Sequence, residues 1–267
     1  MLINKIVLFI LISIFSSNVF SEEILDKTLY KKPYANNELK SGQYFSKKET
    51  RSMEIEEFEN PGMIWVERGK ELFDNKEEKN KISCSSCHKQ DANSLMGVAA
   101  TYPKVHKKKL INIEQKINMC RSNYMNVEEY KLESINLLSL SSYISYISKG
   151  IPMNVSVTGK AKKYFIKGKE MFYQRIGQMN LACNQCHDEM AGSYLRAERI
   201  SQGHINGFPS YLMRWESIAS VHRRFQFCNN QARAKPLEIG HEDYNALQLY
   251  IAWRGNSLPL ESPSVRR

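Results

Sequence analysis

After residue 20 the 267-residue sequence has no apolar run approaching the ~20 residues a membrane-spanning helix needs, and mean hydropathy is −0.49, which argues against any later span. Acidic side chains are short, 28 Asp and Glu against 38 Lys and Arg, for a formal charge of +10. Strand-like alternation is weak throughout, which disfavours an all-β fold. Cysteine is limited to six residues, and its two CxxC pairs stand 99 positions apart, where zinc sites space theirs by about 15–20.

The one long apolar run is at the start. "MLINKIVLFILISIFSSNVFSEE" has a lysine, an apolar stretch and Val19-Phe20-Ser21 before Glu22, the pattern of a secretory signal peptide over residues 1–21. A signal-anchor helix is the competing reading, and the run is short for it. Export places the chain in an oxidising compartment and disfavours nucleic acid as the partner for its basic charge. Acidic redox partners or small anionic substrates fit better, since a basic surface steers either inward.

The chain contains a repeat. "ERGKELFDNKEEKNKISCSSCH" (67–88) and "IKGKEMFYQRIGQMNLACNQCH" (166–187) align without a gap, with Gly69, Lys70, Glu71, Phe73, Cys84, Cys87 and His88 recurring 99 residues later. A second echo follows each copy, "YISYISKGIP" and "LYIAWRGNSLP". This implies two modules of ~100 residues, as repeated segments usually do. Leu137, Leu140, Ile144 and Ile147 mark one face of a helix ending near Gly150, and Tyr244, Leu247 and Ile251 do the same before Gly255. Trp65–Phe73 is compatible with a helix leading into the first CxxCH. Stretches between these helices are expected to be loops, and residues 22–55, polar and charged, an extension that wraps a neighbour or stays mobile.

Cys84-Ser85-Ser86-Cys87-His88 and Cys183-Asn184-Gln185-Cys186-His187 fit the c-type haem attachment pattern, in which two thiols bond the vinyl groups and the histidine becomes an axial ligand. A zinc knuckle or a redox dithiol would not need the trailing histidine twice. Each iron then needs a sixth ligand. Met153 in "GIPMN" is a candidate, but the matching position of the second module is Leu260, which cannot ligate. The two remaining cysteines, Cys120 and Cys228, fall one per module. A Cys120–Cys228 disulfide is the competing use. Basic neighbours, Arg121 beside Cys120 and His222, Arg223, Arg224 and Arg233 around Cys228, instead favour thiolate. His222 is the rival ligand at the second site. His106, His204 and His241 have no spacing that elevates them, and Trp65, Trp215 and Trp253 suit core packing.

"GQMNLACNQCHDEMAGSYLR", "ISQGHINGFPSYLMRWES", "HRRFQFCNNQARA", "LYIAWRGNSLPLESPSVR" and, in the first module, "INMCR" resemble the dihaem form of the SoxA family, cytochromes of a periplasmic sulfur-oxidising complex. The resemblance implies a mainly α fold of two tandem class I cytochrome c-like domains with long loops and an N-terminal extension: signal peptide 1–21, extension 22–55, first domain 56–155, second domain 156–267. It implies an L-cysteine S-thiosulfotransferase that oxidatively joins thiosulfate to a cysteine on a SoxYZ-like sulfur-carrier complex. Two electrons pass to c-type cytochromes, and a small SoxX-like monohaem subunit is a partner. Two covalent haem c groups would be bound through Cys84, Cys87, Cys183 and Cys186. Axial pairs would be His88 with Cys120 and His187 with Cys228, the latter a possible persulfide and, with Arg224, catalytic. A dihaem electron carrier with no bond-forming role is the alternative function. A dihaem peroxidase is third, disfavoured because it needs an open sixth position.

Overall fold

The computed structural model describes residues 28–89 and 92–267; the expected signal peptide and the first residues of the extension lie outside them. Residues up to Ala35 form one unit and Asn36–Arg267 a second. The described part of the first opens with one helical turn.

In the second unit, short helices α1 (Gly42–Phe45) and α2 (Lys48–Ile55) precede α3 (Met63–Asp74) and α4 (Cys84–His88), then α5 (Ile113–Tyr124) and α6 (Ile135–Tyr146). The later half has α7 (Lys162–Tyr173), a π turn at Gln185–Glu189, α8 (Val221–Gln231) and α9 (Glu242–Arg254). Strands are short and peripheral. β1 (Lys104–His106) and β2 (Lys109–Ile111) make one hairpin, β3 (Tyr194–Leu195) and β4 (Glu198–Arg199) another. β5 (Ser210–Leu212) sits between antiparallel β6 (Ser217–Ala219) and parallel β7 (Ser264–Arg266).

Two helix pairs form the frame. α3 packs on α6 and α7 on α9, and both crossings close on a glycine. A Cβ on Gly69 would lie 2.0 Å from the Ser139 carbonyl oxygen, and one on Gly168 2.0 Å from that of Ala246. An aromatic pair seals each crossing, Phe73 with Tyr143 at 5.4 Å and Phe172 with Tyr250 at 5.3 Å between ring centroids. Both phenylalanines are buried, each contributing about 1.5–3 kcal/mol through apolar area removed from water. The repeated Gly and Phe are thus the residues that set the helix spacing.

α6 is buried from Leu137 to Ser145 and α9 from Tyr244 to Arg254. An amphipathic stripe would leave one face exposed, but here each helix is covered by its partner on one side and by the other half of the chain on another. Asn245 Nδ2 donates to Leu110 O, Gln115 Nε2 to Gly240 O, and Tyr164 O–H to Lys108 O. The segments that follow α6 and α9 pair with each other: Pro152 faces Pro259 in an antiparallel bridge, Met153 N–H donates to Leu258 O at 2.9 Å and Leu260 N–H to Ile151 O at 3.0 Å.

Two expectations need correcting. Residues 36–55 do not trail free, for they bind this chain's own later half. Lys40 N–H donates to Gln202 Oε1, and buried Glu54 accepts from Val265 N–H and pairs with Arg266. The stretches expected to be loops hold α5 and α8, which carry Cys120 and Cys228. Polar caps start both helices: Asn112 accepts from Gln115 N–H in a reciprocal capping box, and Ser220 accepts from Arg223 N–H.

Candidate active site

Each CxxCH begins with a local hydrogen-bond device. Ser83 Oγ accepts from Ser86 N–H while Ser86 Oγ accepts from Ser83 N–H, which closes the turn that brings Cys84 and Cys87 to one side. In the second copy Gln185 Oε1 accepts from Ala182 N–H, the same reach from the same position. The residues between the cysteines therefore shape the turn.

All six cysteines are unbridged. Cys120 lies within the electrostatic reach of Cys84 and Cys87, and Cys228 within that of Cys183 and Cys186, so the structure gathers three thiols and one histidine in each half and keeps the two spare thiols apart. The disulfide alternative has no support in this arrangement. Burial pushes the Cys84 thiol up to about 11, with Arg121 opposing, and the Cys183 thiol up to about 12, with Cys228 adding and Arg254 opposing. Both are held as thiols at neutral pH.

The histidines suit iron. Burial lowers the pKa of His88 and of His187, keeping the imidazoles neutral, and His187 Nδ1 lies 2.8 Å from Ser201 O. A nitrogen facing a carbonyl donates, which places the ring's lone pair on Nε2 and fixes its orientation. Gly203, at φ +76°, packs on the same ring, where a Cβ would come 2.7 Å from His187 Cγ. Paired thiols followed by an oriented neutral imidazole are the donor set of a covalent haem.

Cations stand one turn before each spare cysteine. On α8 Arg224 precedes exposed Cys228 by four residues, and its charge reaches the His187 ring. On α5 Lys116 precedes Cys120 by four and is the cation that opposes the upward push of burial on that thiol. The sequence alone assigns this role to Arg121. The helix instead turns Arg121 away, onto Glu77 at 2.5 Å, over the Tyr130 ring and toward Cys84. Once both cysteines are on helices, the four-residue spacing is the signal that finds Lys116.

Other residues fall where their neighbours explain them. His222 is buried, with Nδ1 accepting from Gly240 N–H and the ring stacked on Phe225; burial lowers it to about 4. It serves the packing of α8 on α9 and does not join the Cys228 group. Met153 is buried beside Leu260 in the wall of a small cavity of about 40 Å³ between the halves, which Glu114, Gln248 and Val221 also line. His204 Nε2 meets Gln202 Oε1, and His241 caps α9 by accepting from Asp243 N–H. Of the tryptophans Trp253 is buried, whereas Trp65 and Trp215 are half-buried, Trp65 tilted against Tyr211 and Trp215 edge-on to Phe227. Arg254, fully buried and joined to Asp188 beside His187, has no counterpart among the residues that the sequence singles out.

A CxxCH turn backed by glycine-crossed helices, with its histidine oriented from the far side, defines a c-type cytochrome. Residues 68–153 match the family described as "SoxA/TsdA, cytochrome c domain". The L-cysteine S-thiosulfotransferase subunit SoxA of Pseudaminobacter salicylatoxidans is 40% identical over 85% of this chain and 80% of its own, and that of Paracoccus pantotrophus 39% over 85% and 78%. The crystal structure of SoxXA from P. pantotrophus matches with a TM-score of 0.83 at 38% identity, covering 86% of this chain and 87% of that one. The chain belongs to the SoxA family.

Proposed function

We propose that this chain is the haem-bearing subunit of an L-cysteine S-thiosulfotransferase and that Cys228 is its reacting centre. The reaction joins thiosulfate to a cysteine thiol of a sulfur-carrier protein: one sulfur–sulfur bond forms, one proton leaves the thiol, and two electrons are released. Covalent haem c supplies the sink for those electrons, with c-type cytochromes accepting them in turn. The chain's own residues supply the rest. Cys228 lies on α8 within electrostatic reach of Cys183 and Cys186. Arg224, one turn earlier, offers a charge-assisted hydrogen bond to the sulfonate end of thiosulfate. This thiol, one turn after Arg224 and within reach of the CxxCH turn, is the observation that carries the reading over the electron-carrier alternative, which needs no anion-binding cation beside it.

The finer assignments follow from the internal symmetry. Residues 56–155 and 156–267 are two class I cytochrome c-like domains behind the 22–55 extension, each with one haem, attached through Cys84 and Cys87 and through Cys183 and Cys186. His88 with Cys120, and His187 with Cys228, are the residues that would hold the two irons. A persulfide on Cys228 would extend its sulfur toward the carrier. Cleavage after residue 21 delivers the chain to the periplasm, and no helix among the described residues is long and apolar enough to cross a membrane. The similar crystal structure is that of SoxXA, which points to a small SoxX-like cytochrome subunit as partner, and the carrier is SoxYZ-like.

The test is mass spectrometry of the carrier after incubation with thiosulfate, an electron acceptor and either wild-type protein or Cys228→Ala. Loss of conjugation with the first domain's haem spectrum intact is expected. Conjugation by Cys228→Ala at the wild-type rate would end the proposal.

A further inference from the structure

The two halves share their frame but differ behind the CxxCH turn. Asp188 directly follows His187, where the first copy has Lys89, and Arg254 closes α9 at the place Ile147 takes after α6. Arg254 is 1% exposed, and its Nη2 donates both to Asp188 Oδ1, at 2.5 Å, and to Gln202 O, at 3.2 Å. The guanidinium lies 4.1 Å over the Phe172 ring, which locks its plane. Asp188 is additionally held by Tyr173 O–H.

The two acceptors belong to the two segments that define His187. One is Asp188, the residue that directly follows it. The other is the residue after Ser201, whose carbonyl takes the His187 Nδ1 proton. A single planar group therefore ties the backbone that carries the imidazole to the backbone that orients it.

We infer that Arg254 is a positioning residue of the second haem site, a buried guanidinium whose Nη2 fixes the orientation of His187 by holding Asp188 and the Ser201–Gln202 segment together. The inference rests on the proposed haem attachment at Cys183 and Cys186. Two functions are combined in the one side chain. Its charge, close to the site, favours the reduced state of a bound metal centre, and its two-point grip limits how far the imidazole plane can turn. Lysine would keep the first, but it has no plane to stack on Phe172 and so nothing to hold its donor between the two acceptors.

The test uses the full chain with its haems attached, as wild type, Arg254→Met, Arg254→Lys and Asp188→Asn, with haem content, low-temperature EPR and potentiometric titration as readouts. Arg254→Met is expected to lower the potential of the second centre and shift its ferric EPR signal, leaving the first centre unchanged. Arg254→Lys should recover much of the potential but not the EPR signal. Asp188→Asn, which retains the guanidinium, should shift the EPR signal in the same sense. It serves as the deciding variant if the Arg254 substitutions fail to mature. Unchanged second-centre EPR in Arg254→Met or Asp188→Asn would overturn the inference, as would full recovery of both readouts by Arg254→Lys. Wild-type protein with fewer than two haems would instead remove the attachment on which it rests.

Discussion

Gly168 lies so close to Ala246 that no side chain fits between them, since a Cβ there would stand 2.0 Å from the Ala246 carbonyl oxygen. Backbone, not a flexible side chain, occupies the space, so the helices must part if Gly168 becomes Ala. Gly168→Ala should cost about 1–3 kcal/mol or more from overpacking, read as a lower denaturant midpoint, with Gly69→Ala giving a similar loss through Ser139. Midpoints unchanged by both would show that the crossings are looser than described.

Arg224→Ala should slow carrier conjugation without removing it. The substitution removes a charge-assisted hydrogen bond worth about 1.5–3 kcal/mol, which corresponds to roughly a tenfold to hundredfold lower rate if that bond tightens in the transition state. Because Arg224 is only half-buried and its contact ionic, the wild-type rate should fall as salt rises, and the variant's should respond less. Equal salt dependence in the two proteins would assign the effect to another cation.

The axial assignments make a spectroscopic forecast. Replacing Cys120 should alter one of two low-spin ferric signals, and replacing Cys228 the other. Met153→Leu should alter neither, because Met153 is buried against Leu260 and its backbone is tied to Leu258. A signal that moves with Met153 but not with Cys120 would reverse the first assignment.

Glu114 sets a pH dependence. Burial raises its carboxyl from 4.5 to about 7, with Glu133 adding to the rise and Ser141 opposing it. The unfolded chain thus releases this proton near pH 4.5 while the folded chain keeps it to near 7, and stability contributed by the neutral acid is lost as pH rises across that window. The expected loss is on the order of 3 kcal/mol by linkage. Glu114→Gln should flatten this slope in denaturant titrations at about pH 5 and about pH 8. A variant with the wild-type slope would mean that Glu114 ionises normally.

Legibility in the sequence follows what repeats. Gly69, Phe73 and the CxxCH residues recur at one spacing, and the structure uses both copies alike. α5 and α8 escape a reading of the sequence because their apolar positions are few and their polar caps, Asn112 and Ser220, sit in stretches whose composition suggests loops. The role of Arg121 is misread for the same reason: adjacency in sequence places a side chain beside Cys120 in a loop but about 100° away from it on a helix. Arg254 carries no signal at all. Its partners, Asp188 and Gln202, lie 66 and 52 residues away, and only the folded chain brings them together.

The bridge between Pro152 and Pro259 acts as a clasp. Each strand belongs to a different half, and neighbouring hydrogen bonds from Met153 and Leu260 fasten it from both sides. A chain severed in the connector between the halves would stay closed, and either half liberated by force would bare a row of unpaired amides and carbonyls, an adhesive edge. For that reason neither half can leave without tearing the seam that closes both.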